Sequence, residues 1–324
     1  MSKILAYVSH SGGAPSRASL EILSKCREMA GQNGWEVEAV LLAADSANAA
    51  EVGRGCGVAM VRALTNPIFS QHLNAPVVDA LANVIREVQP DLVVFPSNES
   101  VKDVLGALAA RLDAPALPDV STFEVGDGVV TAVRPVMAAK FLSHVEAGGK
   151  PVLVSVRSGS YEATDSDVHP EVDTTEFTFE ESDLAQTLRE VASAATGAVD
   201  LNEARVVVAA GRGVRDEEGK RLVEELAEVT GGAIGASRAV VESGMFPATA
   251  QIGQTGKVVS PEVYFAVGLS GAIQHTAGMS NSRIIVAINK DPDATIFQTA
   301  TYGLVGDLYQ ILPALIAEIR DRKS

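Results

Sequence analysis

Arg205-Val206-Val207-Val208-Ala209-Ala210-Gly211-Arg212-Gly213 is the stretch that decides the fold of this 324-residue chain. Its first part is the short apolar run of a fully buried strand, and its end is a glycine turn. Beyond the turn, Glu217 to Val229 carries Leu222, Leu226 and Val229 at helical spacing and stops at Gly231-Gly232. Strand, glycine turn and helix in that order build an open, doubly wound α/β sheet. Ligands of such sheets bind at the carboxyl ends of strands and the amino ends of helices. Val258 to Val267 and Arg283 to Ile288 read as further strands of the same sheet, and Leu304 to Ile319 as its last helix.

Upstream, a second α/β pattern begins. Ile4 to Val8 reads as a buried strand, Ser16 to Ala30 as a helix and Val37 to Leu42 as a strand. Pro76 to Val88 and Val101 to Leu112 look helical, with the strand Leu92 to Phe95 between them. That alternation predicts a mostly parallel sheet. The rhythm then changes. Ser121 to Val125 and Val129 to Val133 flank Gly126-Asp127-Gly128 as a hairpin, and Ala138 to Val145 and Pro151 to Arg157 add strands, so the sheet is expected to carry an antiparallel extension. The small, polar run Ala192 to Glu203 reads as a hinge, and the domains are set at 1–195 and 196–324.

The formal charge of -15, with 41 acids against 26 bases and one Trp, excludes the basic, aromatic-interleaved footprint of a nucleic-acid binder. The acidity is local. Residues 161 to 190 hold ten acids against Arg189 alone, whereas the chain after position 200 holds 14 acids and 12 bases. The acidic segment reads as a solvated strand and linker, with a docking surface for a basic partner as the alternative. Cys26 and Cys56 show no CxxC or zinc spacing, so a reducing, cytoplasmic compartment is expected, with no metal site. No apolar run reaches the roughly 18 to 20 residues of a membrane span.

There is no GxSxG elbow, no GxxxxGK[ST] loop, no HExxH and no GxGxxG after the first strand, which removes support from the enzyme classes with short signatures. Ser11-Gly12-Gly13 and Gly53-Arg54-Gly55-Cys56-Gly57 read as turns, and His10, His72, His144 and His169 as structural or surface residues. Met245-Phe246-Pro247 and Phe297 read as packing. The last 120 residues differ. After the Gly211-Arg212-Gly213 turn come Gly235-Ala236-Ser237-Arg238-Ala239, Gly253-Gln254-Thr255-Gly256-Lys257 and Gly268-Leu269-Ser270-Gly271-Ala272-Ile273-Gln274-His275, each after an apolar run. Glycines there let backbone approach a flat or phosphorylated ligand, and Ser270-Gly271-Ala272 reads as the amino end of a helix whose dipole favours an anion.

Taken with Ser260-Pro261-Glu262-Val263-Tyr264, Ala287-Ile288-Asn289-Lys290-Asp291-Pro292 and Tyr302-Gly303-Leu304-Val305-Gly306-Asp307-Leu308, these turns closely resemble the alpha subunit of electron transfer flavoprotein. The N-terminal part resembles it more loosely, in Pro90-Asp91, Ala138-Ala139-Lys140 and Val156-Arg157-Ser158-Gly159-Ser160-Tyr161. The resemblance implies one FAD in the second domain. It implies that Thr255 places its hydroxyl by flavin N5, that Arg238 lies against the isoalloxazine ring, and that His275 approaches the N1 and C2 carbonyl edge. Positive charge or donors at that edge stabilise an anionic semiquinone. Arg212, Ser237, Ile252, Gly253, Gln254, Ser270, Gly271, Ala272, Ile273, Gln274, Asn289, Asp307 and Leu308 are implied as the remaining cofactor contacts.

The same resemblance implies an electron carrier with no substrate reaction of its own and no catalytic residues. It implies a heterodimer with a beta subunit, electrons taken from flavoprotein dehydrogenases such as the acyl-CoA dehydrogenases of fatty acid β-oxidation, and delivery to a membrane quinone oxidoreductase. The hinge would let the FAD domain swivel between partners. Alternatives are an electron-bifurcating form of the family, an enzyme binding NAD or another dinucleotide, and a nucleotide-sensing scaffold built on the first domain. The enzyme would need an acid-base or nucleophile constellation near the turns, and His275 is the one candidate.

Overall fold

The buried run Val206–Ala210 becomes an inner strand of a five-stranded parallel sheet in the computed structural model, which describes residues 2–11, 13–71, 73–137, 141–180 and 201–323. Across this sheet the order is Ala233–Ala236, Val206–Ala210, Val263–Val267, Ile284–Asn289, Tyr302–Val305. Each neighbouring pair is parallel. The chain places its second strand on one side of the first and its third on the other. That reversal opens a crevice at the carboxyl ends of Val206–Ala210 and Val263–Val267, where the turns Gly211-Arg212-Gly213 and Gly268-Leu269-Ser270-Gly271 emerge.

Alternation along the strands divides the core. Val208, Ala210, Phe265 and Val267 share one cluster with Leu222, Leu226, Leu312 and Ile316, from the helices Glu217–Thr230 and Leu308–Lys323. Burying one such leucine contributes roughly 1.5–3 kcal/mol. Val207, Ala209, Tyr264 and Ala266 face the other way, under Ile252, Val259, Leu269, Met279 and Ile296. Short helical pieces and turns cover this second face, and the candidates Ile252 and His275 lie there, whereas Leu308 belongs to the first cluster. Asp216 caps the Glu217–Thr230 helix through Gly219 N–H, and Gly231 ends it at φ 69°. The last helix starts at Leu308, later than the periodicity predicts, because Tyr302–Val305 pairs with Ile284–Asn289 as the edge strand. The strand expected from Val258 begins at Val263.

Contacts gather the chain into two compact units, Met1–Val191 and Ala192–Ser324. In the first, seven parallel strands run in the order Glu171–Glu176, Met60–Thr65, Glu36–Ala43, Lys3–Val8, Leu92–Pro96, Val152–Val156, Ala116–Val120. The helices Arg17–Asn33, Asn74–Val88 and Glu99–Leu112 lie near their expected places. The antiparallel strands form a separate three-stranded sheet, Thr122–Gly126, Val129–Val136 and Phe141–Gly148. Val152–Val156, grouped with them from the sequence, instead enters the large sheet in parallel, and all five of its residues are buried. Glycine-rich Gly53-Arg54 ends the helix Ser46–Arg54, where a Cβ on Gly53 would strike Val172 at 2.7 Å.

His10 bonds the Leu42 carbonyl through Nε2 at 2.7 Å, and Phe246 is buried core, both in keeping with structural roles. Positions 192–200 of the expected hinge, the motif Ala138-Ala139-Lys140, His72 and the acids Glu181, Asp183 and Glu190 lie outside the described residues. Among the described residues no helix is long and apolar enough to cross a membrane.

Candidate functional site

Two glycine turns at neighbouring strand ends pack backbone to backbone because no side chain fits between them. A Cβ on Gly211 would stand 2.3 Å from the Gly268 oxygen, and one on Gly213 2.8 Å from Gly268 Cα. The turns are also bonded, Gly213 N–H donating to Gly268 O at 3.0 Å and Gly211 N–H to Val267 O at 2.8 Å. Arg212 is thereby held at the mouth of the crevice, exposed and with no ion-pair partner among the described residues. An unpaired guanidinium at a strand end is suited to a phosphate group.

The segment after Gly268 supplies donors. The Ser270 carbonyl accepts from Ile296 N–H at 3.0 Å and from Thr295 Oγ1 at 2.8 Å, which anchors the turn. The N–H groups of Ser270 to Gln274 meet no backbone acceptor among the described residues. The helix that follows, Ile273–Thr276, has four residues. So short a helix builds little macrodipole, and the attraction for an anion comes from the row of free N–H groups rather than from the dipole the sequence suggests. At the neighbouring turn the amino end of Glu217–Thr230 is already occupied by the Asp216 carboxylate, so it offers nothing to a phosphate.

These elements enclose a cavity of about 370 Å³ lined by Arg212, Ser237, Arg238, Thr255, Ser270 and His275, among others. Of the residues implied from the sequence, Ile252, Gly253, Gly271, Ala272 and Gln274 also line it. Arg238 sits on the short helix Arg238–Glu242 and pairs with Glu242 at 2.7 Å, both side chains being exposed. The Thr255 hydroxyl accepts from Gln251 Nε2 at 3.1 Å, which leaves its own proton free to donate. Gly253 has φ 142°, and a Cβ there would meet the Gln274 oxygen at 2.6 Å, so the Thr255 turn and the His275 helix touch backbone to backbone.

Five of the implied residues stand apart from the cavity wall. Gln254 and Ile273 are exposed beside it. Asn289 works within the fold, its Nδ2 donating to Leu269 O at 2.8 Å and its Oδ1 accepting from Asp291 N–H. Asp307 accepts from Tyr309 N–H at 3.0 Å at the start of the last helix, and Leu308 is buried in the core. Glu242, Gln251 and Tyr264 belong to the site or its support and carried no role in the sequence. For Tyr264 the signal was available: a phenol inside a run of Val, Phe and Ala needs a buried partner.

That partner is His275. The imidazole is 6% exposed and its Nε2 lies 2.8 Å from the Tyr264 hydroxyl. Burial pushes the pKa of His275 down to about 4, against a smaller opposing influence of the Ile252 carbonyl, so the ring is neutral at pH 7. Its Nδ1 meets no partner with hydrogen-bond geometry. A buried, unpaired ring nitrogen beside a cavity is a polar group waiting for a ligand. Burial also pushes the Tyr264 phenol well above its ordinary pKa. The wall at His275 therefore presents a neutral donor or acceptor rather than the positive charge considered from the sequence.

Comparison with known proteins converges on this region. Residues 200–280 match the electron transfer flavoprotein FAD-binding domain, and residues 4–182 the electron transfer flavoprotein domain. The chain is similar to electron transfer flavoprotein subunit alpha of Thermoanaerobacterium thermosaccharolyticum, 34% identical over 99% of this chain and 98% of that one. The subunit alpha of Mycobacterium leprae is 36% identical over the full length of both, and that of Paracoccus denitrificans 38% identical over 86% of this chain and 89% of its own. FAD is the group the second unit has to hold, and two features fit it: the free Arg212 with its row of N–H donors, and the unpaired Nδ1 of His275.

Proposed function

The chain belongs to the electron transfer flavoprotein alpha-subunit family, and on that premise we propose that it is the FAD-holding half of a two-subunit electron carrier. It would take electrons from flavoprotein dehydrogenases, acyl-CoA dehydrogenases among them, and pass them to a membrane quinone oxidoreductase. The observation that supports this most directly is that one cavity is lined by Arg212, Arg238, Thr255, Ser270 and His275, which brings two guanidinium groups together with hydroxyl and imidazole hydrogen-bonding groups.

The flavin, when bound, supplies reversible uptake of electrons, and its negative charge grows at the N1 and C2 carbonyl edge on reduction. Arg212 and the N–H groups of Ser270 to Gln274 are proposed to bind the pyrophosphate. Thr255 is proposed to donate toward N5, Arg238 to lie against the ring, and His275 to donate at the N1 and C2 edge. Among the described residues the one imidazole at the cavity, His275, is bonded to the buried Tyr264 and to no hydroxyl of the cavity wall, which suits a carrier better than an enzyme with a bound dinucleotide.

The first unit is proposed to pair with the beta subunit. Its antiparallel sheet leaves Phe141 60% and Leu142 64% exposed, with Met137 nearby at 73%, an apolar surface of the kind that marks an interface. Purification with the natural partner, followed by an absorbance spectrum and a subunit count, tests the whole reading. Flavin bands, about one FAD released per chain and a second polypeptide are expected; a colourless preparation with no releasable FAD would overturn it.

A further inference from the structure

Tyr264 lies in the middle strand of the second sheet with no exposed surface, and among the described residues its hydroxyl is bonded to His275 alone. Two placements of the protons satisfy that contact of 2.8 Å. If Nε2–H donates to the phenol oxygen, the phenol proton has no acceptor among the described residues and Nδ1 is a bare buried lone pair. Two buried polar defects then remain. An imidazolium would remove the second defect and keep the first, while adding a buried charge. If instead the phenol donates to Nε2, its proton is used and Nδ1 carries N–H.

We propose that Tyr264 is a positioning residue that locks His275 in the neutral Nδ1–H tautomer, so that the cavity wall offers an N–H donor at the flavin's N1 and C2 edge. The inference rests on the reading that the flavin ring lies beside His275, but the lock itself does not. Three features of the chain serve it. The strand position of Tyr264, paired with Val207 in register, fixes the phenol. The close approach of the Gly253 and Gly278 backbones, where a Cβ on Gly278 would meet Gly253 N at 2.5 Å, brings the His275 helix down onto the sheet. The apolar cluster of Ile252, Val259, Leu269 and Met279 excludes water that would otherwise bond either nitrogen.

The test uses the purified protein with its bound FAD, labelled with ¹⁵N at histidine. Long-range proton–nitrogen correlation spectra at pH 7 read the tautomer of His275, identified by its loss in His275→Gln. The wild type is expected to show Nδ1–H, and this measurement needs no variant that must fold. An Nε2–H or imidazolium pattern would overturn the proposal. In Tyr264→Phe the pattern is expected to shift toward Nε2–H, the form ordinary histidines favour, and the flavin reduction potential to fall as the donor is lost. An unchanged tautomer in Tyr264→Phe would remove Tyr264 from the role, and a shifted tautomer with an unchanged potential would overturn the link to the flavin. A preparation without flavin would defeat the proposed function instead, and the tautomer would still decide the lock.

Discussion

Protonating His275 should cost the second unit a measurable part of its stability, with a sign that follows from burial. Unfolded, the ring takes a proton as pH falls through 6.5, whereas folded it does so only near 4. Between those values the unfolded chain binds the extra proton, so stability decreases as pH is lowered; the contribution is intact above 6.5 and spent by 4. Each tenfold in proton affinity is about 1.4 kcal/mol, so the fall from 6.5 to about 4 corresponds to about 3 kcal/mol. His275→Asn keeps a polar side chain that cannot titrate and lacks this component. The assay is guanidinium unfolding from pH 4 to 7.5 on both proteins stripped of FAD, because a bound ligand adds its own term. Circular dichroism follows both units, and Trp35, the single tryptophan, reports on the first unit as an internal control. Carboxylate titrations are common to both proteins and cancel in the difference. The gap in stability should open by about 3 kcal/mol between pH 4 and 6.5, with the Trp35 transition unaffected by the substitution. Parallel pH profiles would refute the claim that the imidazole is buried and neutral.

Gly211→Ala forces a Cβ into a space 2.3 Å from the Gly268 oxygen, and such overpacking costs about 1–3 kcal/mol, so thermal unfolding should come earlier and FAD be retained poorly. A variant with the wild-type melting profile and flavin content would contradict the backbone packing described. Arg212→Gln removes the free cation at the strand end; with charge-assisted bonds worth about 1.5–3 kcal/mol, the FAD dissociation constant should rise about tenfold to a hundredfold, as read by titrating stripped protein. Glu242→Gln releases Arg238 from an exposed pair worth about 0.3–0.5 kcal/mol, so the melting temperature should hardly move while the flavin potential rises in a redox titration. A potential at the wild-type value would place Arg238 away from the ring. Phe141→Asp together with Leu142→Asp should abolish co-purification with the beta subunit and leave bound FAD and circular dichroism unchanged; persistent co-purification would move the interface elsewhere.

Val206–Ala210 and Val263–Val267 were legible because each is an apolar run ended by glycine, and Arg205 to Gly213 carries that pattern in nine residues; Ile284–Asn289 was legible as an apolar run alone, and Ala233–Ala236 was hidden in a glycine-containing turn motif. The edge strand Tyr302–Val305 was not, since all four residues are exposed and its apolar character merges with the helix that follows. Val152–Val156 was found as a strand but not as a parallel one, because periodicity identifies an element without stating its neighbours. In the site, the turns were visible as glycine clusters. Asn289 and Asp307, implied as cofactor contacts by the resemblance, bond backbone here, Asn289 Nδ2 donating to Leu269 O of the neighbouring turn and Asp307 accepting from Tyr309 N–H in its own, as short polar side chains often do. The need of Tyr264 for a buried partner was legible, but the identity of that partner was not, because His275 lies 11 positions away in another element.

The distribution of charge gains a physical reading from the same architecture. The acidic segment contributes Glu171–Glu176 as the outermost strand of the seven-stranded sheet, anchored inward by Val172 against the Gly53 backbone. Glu171, Asp173 and Glu176 are exposed there, and a parallel edge with unpaired backbone groups would otherwise invite another strand. Carboxylates along it oppose such pairing with any like-charged edge, a second copy of this chain included. Asp173 also holds the Arg62 charge of the adjacent strand, with Glu38 and Glu87, so the edge is repulsive outward and satisfied inward. Three acids of the segment therefore line what is, among the described residues, an edge of the sheet. The near-balance of the second unit has the opposite use, since it lets a single unpaired guanidinium at Arg212 and a few neutral donors govern the field that an anionic dinucleotide would meet.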